Sequence, residues 1–345
     1  MLRLWKLRKG VVAALLLLFG TALALAEGPQ ATPSIYAPAS TPAAQIQSLS
    51  YFVLEITGAI FLVVGGLMAF VCFRYRAGKN DDKSEPAQIY GSTQVELAWT
   101  VIPVLIVVVL FLTTARMIFA IQDAPKPKEA VDVTVVGHQF WWEYRYPQLG
   151  IVTANELHIP LSSKTDPKPT YFKLLSADVD HSYWVPQLSG KTDLIPNHPN
   201  ELWMDPLYPG LYKGQCAQFC GAEHALMLLR VYVDTPEQFQ AWVANQQKPG
   251  VQDPTVAAGR QVFETQACMN CHAVAGTAAT GRYGPDLTHL ASRDTLASGV
   301  IENNPKNLRQ WIKDPDSIKP GALMPAMKLS DEQLDQLTAY LATLK

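Results

Sequence analysis

Two cysteines, a histidine and a methionine lie close together in the segment Cys216-Ala-Gln-Phe-Cys220-Gly-Ala-Glu-His224-Ala-Leu-Met227. Another histidine, His181, lies 35 residues before Cys216. Thiolate, imidazole and a weakly binding thioether are the ligands of copper electron-transfer sites. A site for one copper ion needs a single thiolate, whereas a second thiol four residues away allows two sulfurs to bridge two copper ions. The segment therefore favours a dinuclear copper centre that passes single electrons.

Other chemistries remain open for this segment. Cys220, His224 and Met227 by themselves have the spacing of a loop that holds one copper ion. Two cysteines four residues apart are also able to form a disulfide, although the histidine and the methionine beside them argue against it. Zinc is disfavoured because methionine is a poor zinc ligand.

A second motif, Cys268-Met-Asn-Cys271-His272, indicates covalent attachment of haem c. Two thiols would join the haem vinyl groups, and His272 would take one axial position on the iron. A redox-active pair of cysteines is the alternative. The sixth iron ligand is expected to be a methionine, which raises the potential of a histidine-ligated haem. Two methionines, Met324 and Met327, precede the last predicted helix.

The chain that positions these motifs is 48% apolar and only 17% charged. An average soluble domain contains roughly 25% charged residues. The start of the chain combines four basic residues, a short apolar run and small residues up to Ala26. This pattern predicts a signal peptide over 1–26, cleaved after Ala26, with a retained membrane anchor as the alternative.

Two longer apolar runs, at about 49–73 and 97–121, are each long enough to cross ~30 Å of hydrocarbon as a helix. The loop between them is rich in Lys and Arg, which the positive-inside rule assigns to the cytoplasm. We therefore expect a two-helix hairpin within residues 27–123 and export of everything that follows.

The exported part divides into two domains. Residues 124–235 alternate apolar and polar positions between Pro, Gly, Asn and Asp turns, which predicts a β-sandwich or barrel. A short helix and a linker are expected over 236–253, and a small α-helical domain over 254–345. Its last helix should begin at Ser330, where Ser-Asp-Glu-Gln matches a capping box.

Charge and the remaining motifs exclude several classes of protein. A formal net charge of −2 carries no sign of nucleic-acid binding. Five cysteines are too few for a disulfide scaffold. Neither a hydrolytic triad nor a phosphate-binding loop is visible, and the chain lacks the ligands of an oxygen-reducing site.

The copper segment resembles that of cytochrome c oxidase subunit 2. So do Asp178-Val-Asp-His181-Ser, Gly137-His-Gln-Phe140-Trp-Trp-Glu-Tyr-Arg-Tyr146 and Val95-Glu96-Leu-Ala-Trp-Thr-Val-Ile-Pro103, and the resemblance spans about 45–245. It implies a cupredoxin-like β-barrel with a dinuclear copper A centre. The implied ligands are the side chains of His181, Cys216, Cys220, His224 and Met227 and the backbone carbonyl of Gln218.

Three positions need separate comment. Many relatives carry Glu at the position of Gln218, where the carboxylate helps to hold magnesium, so the magnesium site is in doubt here. Phe140 stands where some relatives have Trp, at the point where electrons from cytochrome c arrive. Glu96 either stabilises a helix start or, by resemblance, marks where protons enter a channel in the neighbouring subunit.

Residues 254–345 resemble class I cytochrome c, in which the axial methionine usually precedes proline; this favours Met324 over Met327. The fold class implied is a multidomain membrane protein: a transmembrane helix hairpin, a cupredoxin-like β-barrel and an all-α cytochrome c domain. Both modules together indicate the cytochrome-c-fused branch of the haem–copper oxidases.

The function implied is that of subunit 2 of a respiratory cytochrome c oxidase in a bacterial plasma membrane, with copper and haem on the outer side. Electrons from a c-type cytochrome or similar donor would reach haem c, then the copper pair, then subunit 1, where oxygen is reduced to water with proton pumping. The alternatives are the electron-transfer subunit of a nitrous or nitric oxide reductase, a quinol oxidase subunit and a copper chaperone. Quinol oxidase subunits lack the copper ligands, and a chaperone has no need of an attached haem.

Overall fold

A computed structural model describes residues 33–76, 85, 88, 90–124, 126–128, 130–251 and 253–345. The predicted signal peptide and much of the basic loop between the apolar runs lie outside the described residues.

Two long helices, α1 (Thr41–Arg74) and α2 (Thr93–Gln122), contain the two apolar runs. Their most apolar windows have mean hydropathies of 2.4 and 2.6, and their apolar side chains are exposed. At ~1.5 Å per residue, each helix is longer than the ~30 Å hydrocarbon core. Length and composition therefore suit both helices to crossing a membrane.

Helix α1 begins earlier than the apolar run because its first turn rests on the β-domain. The Ser40 hydroxyl accepts a hydrogen bond from the Ala43 N–H at 3.2 Å and donates to the carbonyl of Leu188. The Thr41 hydroxyl donates to the Asp205 carboxylate at 2.6 Å. These bonds join the base of the helix hairpin to the domain that carries the copper segment.

Ten strands form the β-domain as two five-stranded sheets, ordered β3-β2-β1-β5-β8 and β4-β10-β9-β6-β7. Each sheet contains one parallel pair, β1 with β5 and β4 with β10, and antiparallel pairs otherwise. The alternating apolar positions meet in one core between the sheets. The strands are β1 (Val131–His138), β2 (Trp141–Tyr146), β3 (Ile151–Ala154), β4 (Glu156–Pro160), β5 (Thr170–Ser176), β6 (His181–Trp184), β7 (Thr192–Leu194), β8 (Asn200–Met204), β9 (Gly210–Cys216) and β10 (Leu228–Asp234).

The helix predicted after the strands is α3 (Pro236–Gln246), which packs on the β-domain. Its Trp242 ring stacks on His158, with ring centroids 4.8 Å apart. The linker that follows is attached to the C-terminal domain, because the Gly250 N–H donates to the Ala275 carbonyl at 2.8 Å. The chain therefore passes between the two domains within a few residues.

The C-terminal domain contains α4 (Ala257–Thr265), α5 (Cys268–Cys271), α6 (Pro305–Lys313) and α7 (Asp331–Leu341), with a two-stranded ribbon of β11 (Thr295–Leu296) and β12 (Ile301–Glu302). The predicted capping box is confirmed, since Ser330 and Gln333 bond reciprocally at the start of α7. Helix α4 crosses α7 at Gly259, where a Cβ would lie 2.0 Å from the Gln336 carbonyl oxygen. This crossing encloses the core beside which the Cys268–His272 motif lies.

Candidate copper centre and haem cavity

Strand pairing brings the distant His181 to the copper segment. His181 begins β6 and Cys216 ends β9, and these strands pair antiparallel with Tyr183 opposite Cys216. The Cys216 N–H also donates to the Met227 carbonyl at 3.0 Å, which closes the loop between β9 and β10. Residues 216–227, called the copper loop below, therefore fold back over the end of one sheet.

The predicted donor atoms converge. The Cys216 and Cys220 sulfurs lie 3.9 Å apart. Nδ1 of His181 lies 3.9 Å from the Cys216 sulfur, and Nδ1 of His224 lies 3.7 Å from the Cys220 sulfur. The Met227 sulfur lies 3.9 Å from the Cys220 sulfur. Two central sulfurs, each with one imidazole beside it, bring together the thiolate and imidazole ligands typical of copper sites.

The sixth predicted donor is a backbone atom. The Gln218 carbonyl oxygen lies 3.2 Å from the Cys216 sulfur, whereas Gln218 itself is exposed. This arrangement agrees with the expectation that the backbone carbonyl of Gln218, and not its side chain, is the copper ligand.

The carboxylate of Asp178, to which the sequence analysis assigned no role of its own, orients His181. Nε2 of His181 hydrogen-bonds to Asp178 Oδ1 at 2.8 Å, which leaves Nδ1 available to a metal ion. The ring lies against β1, where a Cβ at Gly137 would come within 2.8 Å of its Cδ2 atom. Burial raises the pKa of Asp178, but the bonds from His181 and two backbone N–H groups outweigh burial and lower it overall. The carboxylate is thus ionised and holds the imidazole in one orientation.

The two thiols differ in acidity. Burial raises the pKa of Cys216, but hydrogen bonds to His181, His224 and the backbone together outweigh burial and lower it to about 7. Burial and the neighbouring Cys216 sulfur raise the pKa of Cys220. The first proton therefore leaves Cys216, and a metal ion would displace the second from Cys220, as thiolate ligation requires.

The haem attachment motif borders a largely apolar cavity of about 430 Å³. Nδ1 of His272 donates to the Pro285 carbonyl at 2.7 Å, which leaves Nε2 as the ligand atom. Burial lowers the pKa of His272, so the ring is neutral and its lone pair is available. Gly284 packs under this ring, where a Cβ would lie 2.5 Å from Cε1. Cys268 and Cys271, the two cysteines of the motif, line the same cavity.

A buried guanidinium supports the fit of a haem to this cavity. Arg293 is 9% exposed and lines the cavity. It donates to the Asp286 carbonyl at 2.5 Å, yet its Nε has no hydrogen-bond partner among the described residues. A carboxylate group of a bound haem would satisfy that atom. Sequence reasoning missed Arg293 because nothing around an isolated Arg marks it as buried.

Met324 and Met327 both line the cavity and both are half-buried. The axial role of Met324 therefore remains a prediction. Replacing Met324 with alanine should remove the weak absorption band of a sulfur–iron bond and lower the haem potential, because a methionine ligand raises it. Met327→Ala is the matched control and should change neither property. Optical redox titration of both variants checks this, and the reverse pattern would assign the ligand to Met327.

The aromatic segment before the copper loop divides into two groups. Trp142, Tyr144 and Tyr146 are fully buried in the β-domain core. Phe140 and Trp141 instead line the haem cavity, although they belong to the β-domain. The position where electrons from an external cytochrome were expected is therefore covered by the chain's own C-terminal domain.

The last predicted site residue lies elsewhere. Glu96 is in the first turn of α2, where an acidic side chain favours the helix start, and it is exposed. Its role in proton entry stays a prediction.

Known protein families match three separate stretches of the chain, one in each of its parts. The transmembrane domain of cytochrome c oxidase subunit II matches residues 31–117, and the periplasmic domain of the same subunit matches residues 151–233. Cytochrome c matches residues 256–345.

Individual proteins are similar over most of the chain. Cytochrome c oxidase subunit 2 of Alkalihalophilus pseudofirmus is 38% identical over 298 residues, which is 84% of this chain and 84% of that protein. Cytochrome c oxidase subunit 2 of Bacillus sp. (strain PS3) is 36% identical, over 79% of this chain and 80% of its own length. Among solved structures, the periplasmic domain of subunit II of cytochrome oxidase of Bradyrhizobium japonicum is 27% identical and covers 35% of this chain and 96% of that one, with a TM-score of 0.33.

Proposed function

Since the chain belongs to the cytochrome c oxidase subunit 2 family and carries a cytochrome c domain, we propose that it receives electrons at haem c and delivers them through a dinuclear copper A centre. The family makes it an electron-transfer subunit of a haem–copper oxidase complex, anchored in a membrane with a periplasmic domain. The proposed acceptor is oxidase subunit 1, where oxygen is reduced to water with proton pumping. We place the complex in a bacterial plasma membrane, with a c-type cytochrome or similar donor on its outer side.

One contact carries this proposal. Gln139 lines the haem cavity, and its side-chain amide donates to the Cys220 carbonyl at 2.6 Å. Its neighbour Phe140 packs against the copper loop at Gly221, where a Cβ would lie 3.0 Å from the ring. The wall of the haem cavity is thus bonded directly to the backbone of a proposed copper ligand. Such continuous covalent and hydrogen-bonded contact suits transfer of single electrons.

The proposed roles follow from the donor atoms. Haem c and the copper pair, when bound, would supply one-electron chemistry in which no bond to substrate forms. Cys268 and Cys271 would hold the haem covalently, His272 and Met324 would ligate its iron, and Arg293 would neutralise its carboxylates. On the other side, the copper ligands would be His181, Cys216, Cys220, His224 and Met227 with the Gln218 carbonyl. We propose no magnesium ligand from Gln218, because an amide side chain lacks the charge of a carboxylate.

The order of reduction tests the proposal. When reduced donor is mixed rapidly with the purified complex, haem c should become reduced first, because it lies on the domain that covers Phe140. Copper should follow at a rate that does not depend on donor concentration, since the second step is intramolecular. Stopped-flow absorption at the bands of both centres measures this order. Reduction of copper before haem c would refute the proposed path.

A further inference from the structure

One lysine of the C-terminal domain is buried in the β-domain. The Lys319 ammonium donates to the Phe140 carbonyl at 2.8 Å and to the Leu226 carbonyl at 2.9 Å. A third bond, at 3.4 Å, goes to the Ala297 carbonyl in its own domain. Lys319 is only 3% exposed. Because an ammonium has three donors, all of them are used at this junction between the domains.

The burial of this charge indicates a specific role. A buried ammonium is costly unless it is fully hydrogen-bonded, and lysine is almost never fully buried without partners. Burial lowers the pKa of Lys319 to about 8, and the nearby Glu223 carboxylate opposes this effect. A solvent-exposed lysine would avoid this desolvation cost. We therefore attribute the burial of Lys319 to the stabilisation that its hydrogen bonds give to the contact between the two domains.

The two β-domain segments that Lys319 contacts, and the segment to which it belongs, all lie on the proposed electron path. Leu226 immediately precedes Met227 in the copper loop, and Phe140 lines the haem cavity. Lys319 itself lies five residues before Met324, on the segment that closes the cavity. A shift of this one side chain would therefore move the cavity wall relative to the copper loop.

A second anchor joins the same two domains at a different place. The Glu156 carboxylate of β4 is buried and accepts bonds from the Asp294 N–H at 3.0 Å, the Thr295 N–H at 2.9 Å and the Thr295 hydroxyl at 2.6 Å. These contacts do not involve the copper loop. A substitution at Glu156 should therefore weaken the contact between the two domains without changing any contact of the copper loop.

We propose that Lys319 is a positioning residue that locks the haem cavity onto the copper loop and places a fixed positive charge beside it. This inference rests on the proposed function, although its hydrogen-exchange test does not depend on the proposed centres. The charge should favour the reduced copper centre, because an added electron is stabilised by a nearby cation. The three carbonyl bonds should keep the two domains in the single arrangement that supports rapid electron exchange.

The test compares Lys319→Met, Lys319→Gln, Glu156→Gln and the exposed control Lys306→Met in the complete oxidase complex. Hydrogen exchange followed by mass spectrometry should show faster exchange at 139–141 and 221–227 in Lys319→Met. Electron exchange between haem c and copper, measured in both directions after a light-induced perturbation, should slow roughly tenfold, the effect of lowering the population of the docked arrangement to about a tenth. The copper potential should fall in both Lys319 variants but not in Glu156→Gln. Lys306→Met should match wild type throughout.

Wild-type hydrogen exchange and wild-type electron exchange in Lys319→Met would overturn the inference. If Lys319→Met loses its haem and copper bands, the test depends on Lys319→Gln. In that variant, an unchanged copper potential and an unchanged rate of electron exchange would also overturn the inference. Failure of the proposed function has a different signature, which is copper reduced before haem c in the wild-type complex. Because electron exchange is followed in both directions, the Lys319 result does not depend on where the donor delivers its electrons.

Discussion

Replacing either Cys216 or Cys220 with serine is expected to abolish the dinuclear copper centre and nearly all oxygen consumption by the complex. Both sulfurs are buried at the middle of the donor cluster, 3.9 Å apart, with one imidazole beside each. A serine hydroxyl is a poor ligand for copper and cannot bridge two ions as a thiolate does. Removing a hydrogen-bond partner of a metal ligand lowers metal affinity or activity by about 10- to 100-fold. Removing a bridging ligand should therefore lower them by more than about 100-fold.

The copper content and the spectrum of the purified complex measure this loss. Each variant should lack two copper ions relative to wild type while the haem c band is retained, because Cys268 and Cys271 lie in the other domain. Cys72→Ser is the matched control, since Cys72 is an exposed thiol of α1 outside the cluster. Loss of one copper ion, or retention of zinc in its place, would contradict the dinuclear assignment.

Removing the haem attachment by the double change Cys268→Ser and Cys271→Ser should lower oxidation of the physiological donor by about 10²-fold or more, which is the range that tethering supplies. The C-terminal domain would still cover Phe140, so a donor could not reach the copper loop there. Small mediators should still reduce the copper centre, because its ligands belong to the β-domain. Steady-state donor oxidation and mediator reduction, measured on the same preparation, test both expectations.

Deletion of residues 249–345 completes this experiment. The cut follows α3 and keeps the Gln247 side chain, which donates to the Leu149 carbonyl of the β-domain at 2.9 Å. The deleted chain would expose Phe140 but lack haem c, and it should also lose most donor oxidation. If the deleted chain oxidised the donor at full speed, the C-terminal haem would be an accessory and the proposed electron path would be wrong.

Much of the architecture was predictable because it depends on local patterns. The apolar runs predicted the two long helices, and both are present, although polar contacts of Ser40 and Thr41 with the β-domain extend α1 beyond its apolar run. The capping box at Ser330 predicted the start of α7 correctly. The family resemblance and the fold class that it implied are confirmed by relatives similar over most of the chain.

The sequence by itself determined which chemistry is available. Five of the six proposed copper donors lie within one loop, and the haem motif occupies five consecutive residues, so both motifs can be recognised from residue spacing alone. Only the tertiary structure decided how these groups are combined. The pairing of β6 with β9 brings His181 to Cys216, and Lys319 reaches the Phe140 carbonyl across 179 positions of the chain. Such contacts depend on strand register and domain packing, so they cannot be predicted from a local sequence pattern. The partners of a buried charge are the groups that the tertiary fold places around it.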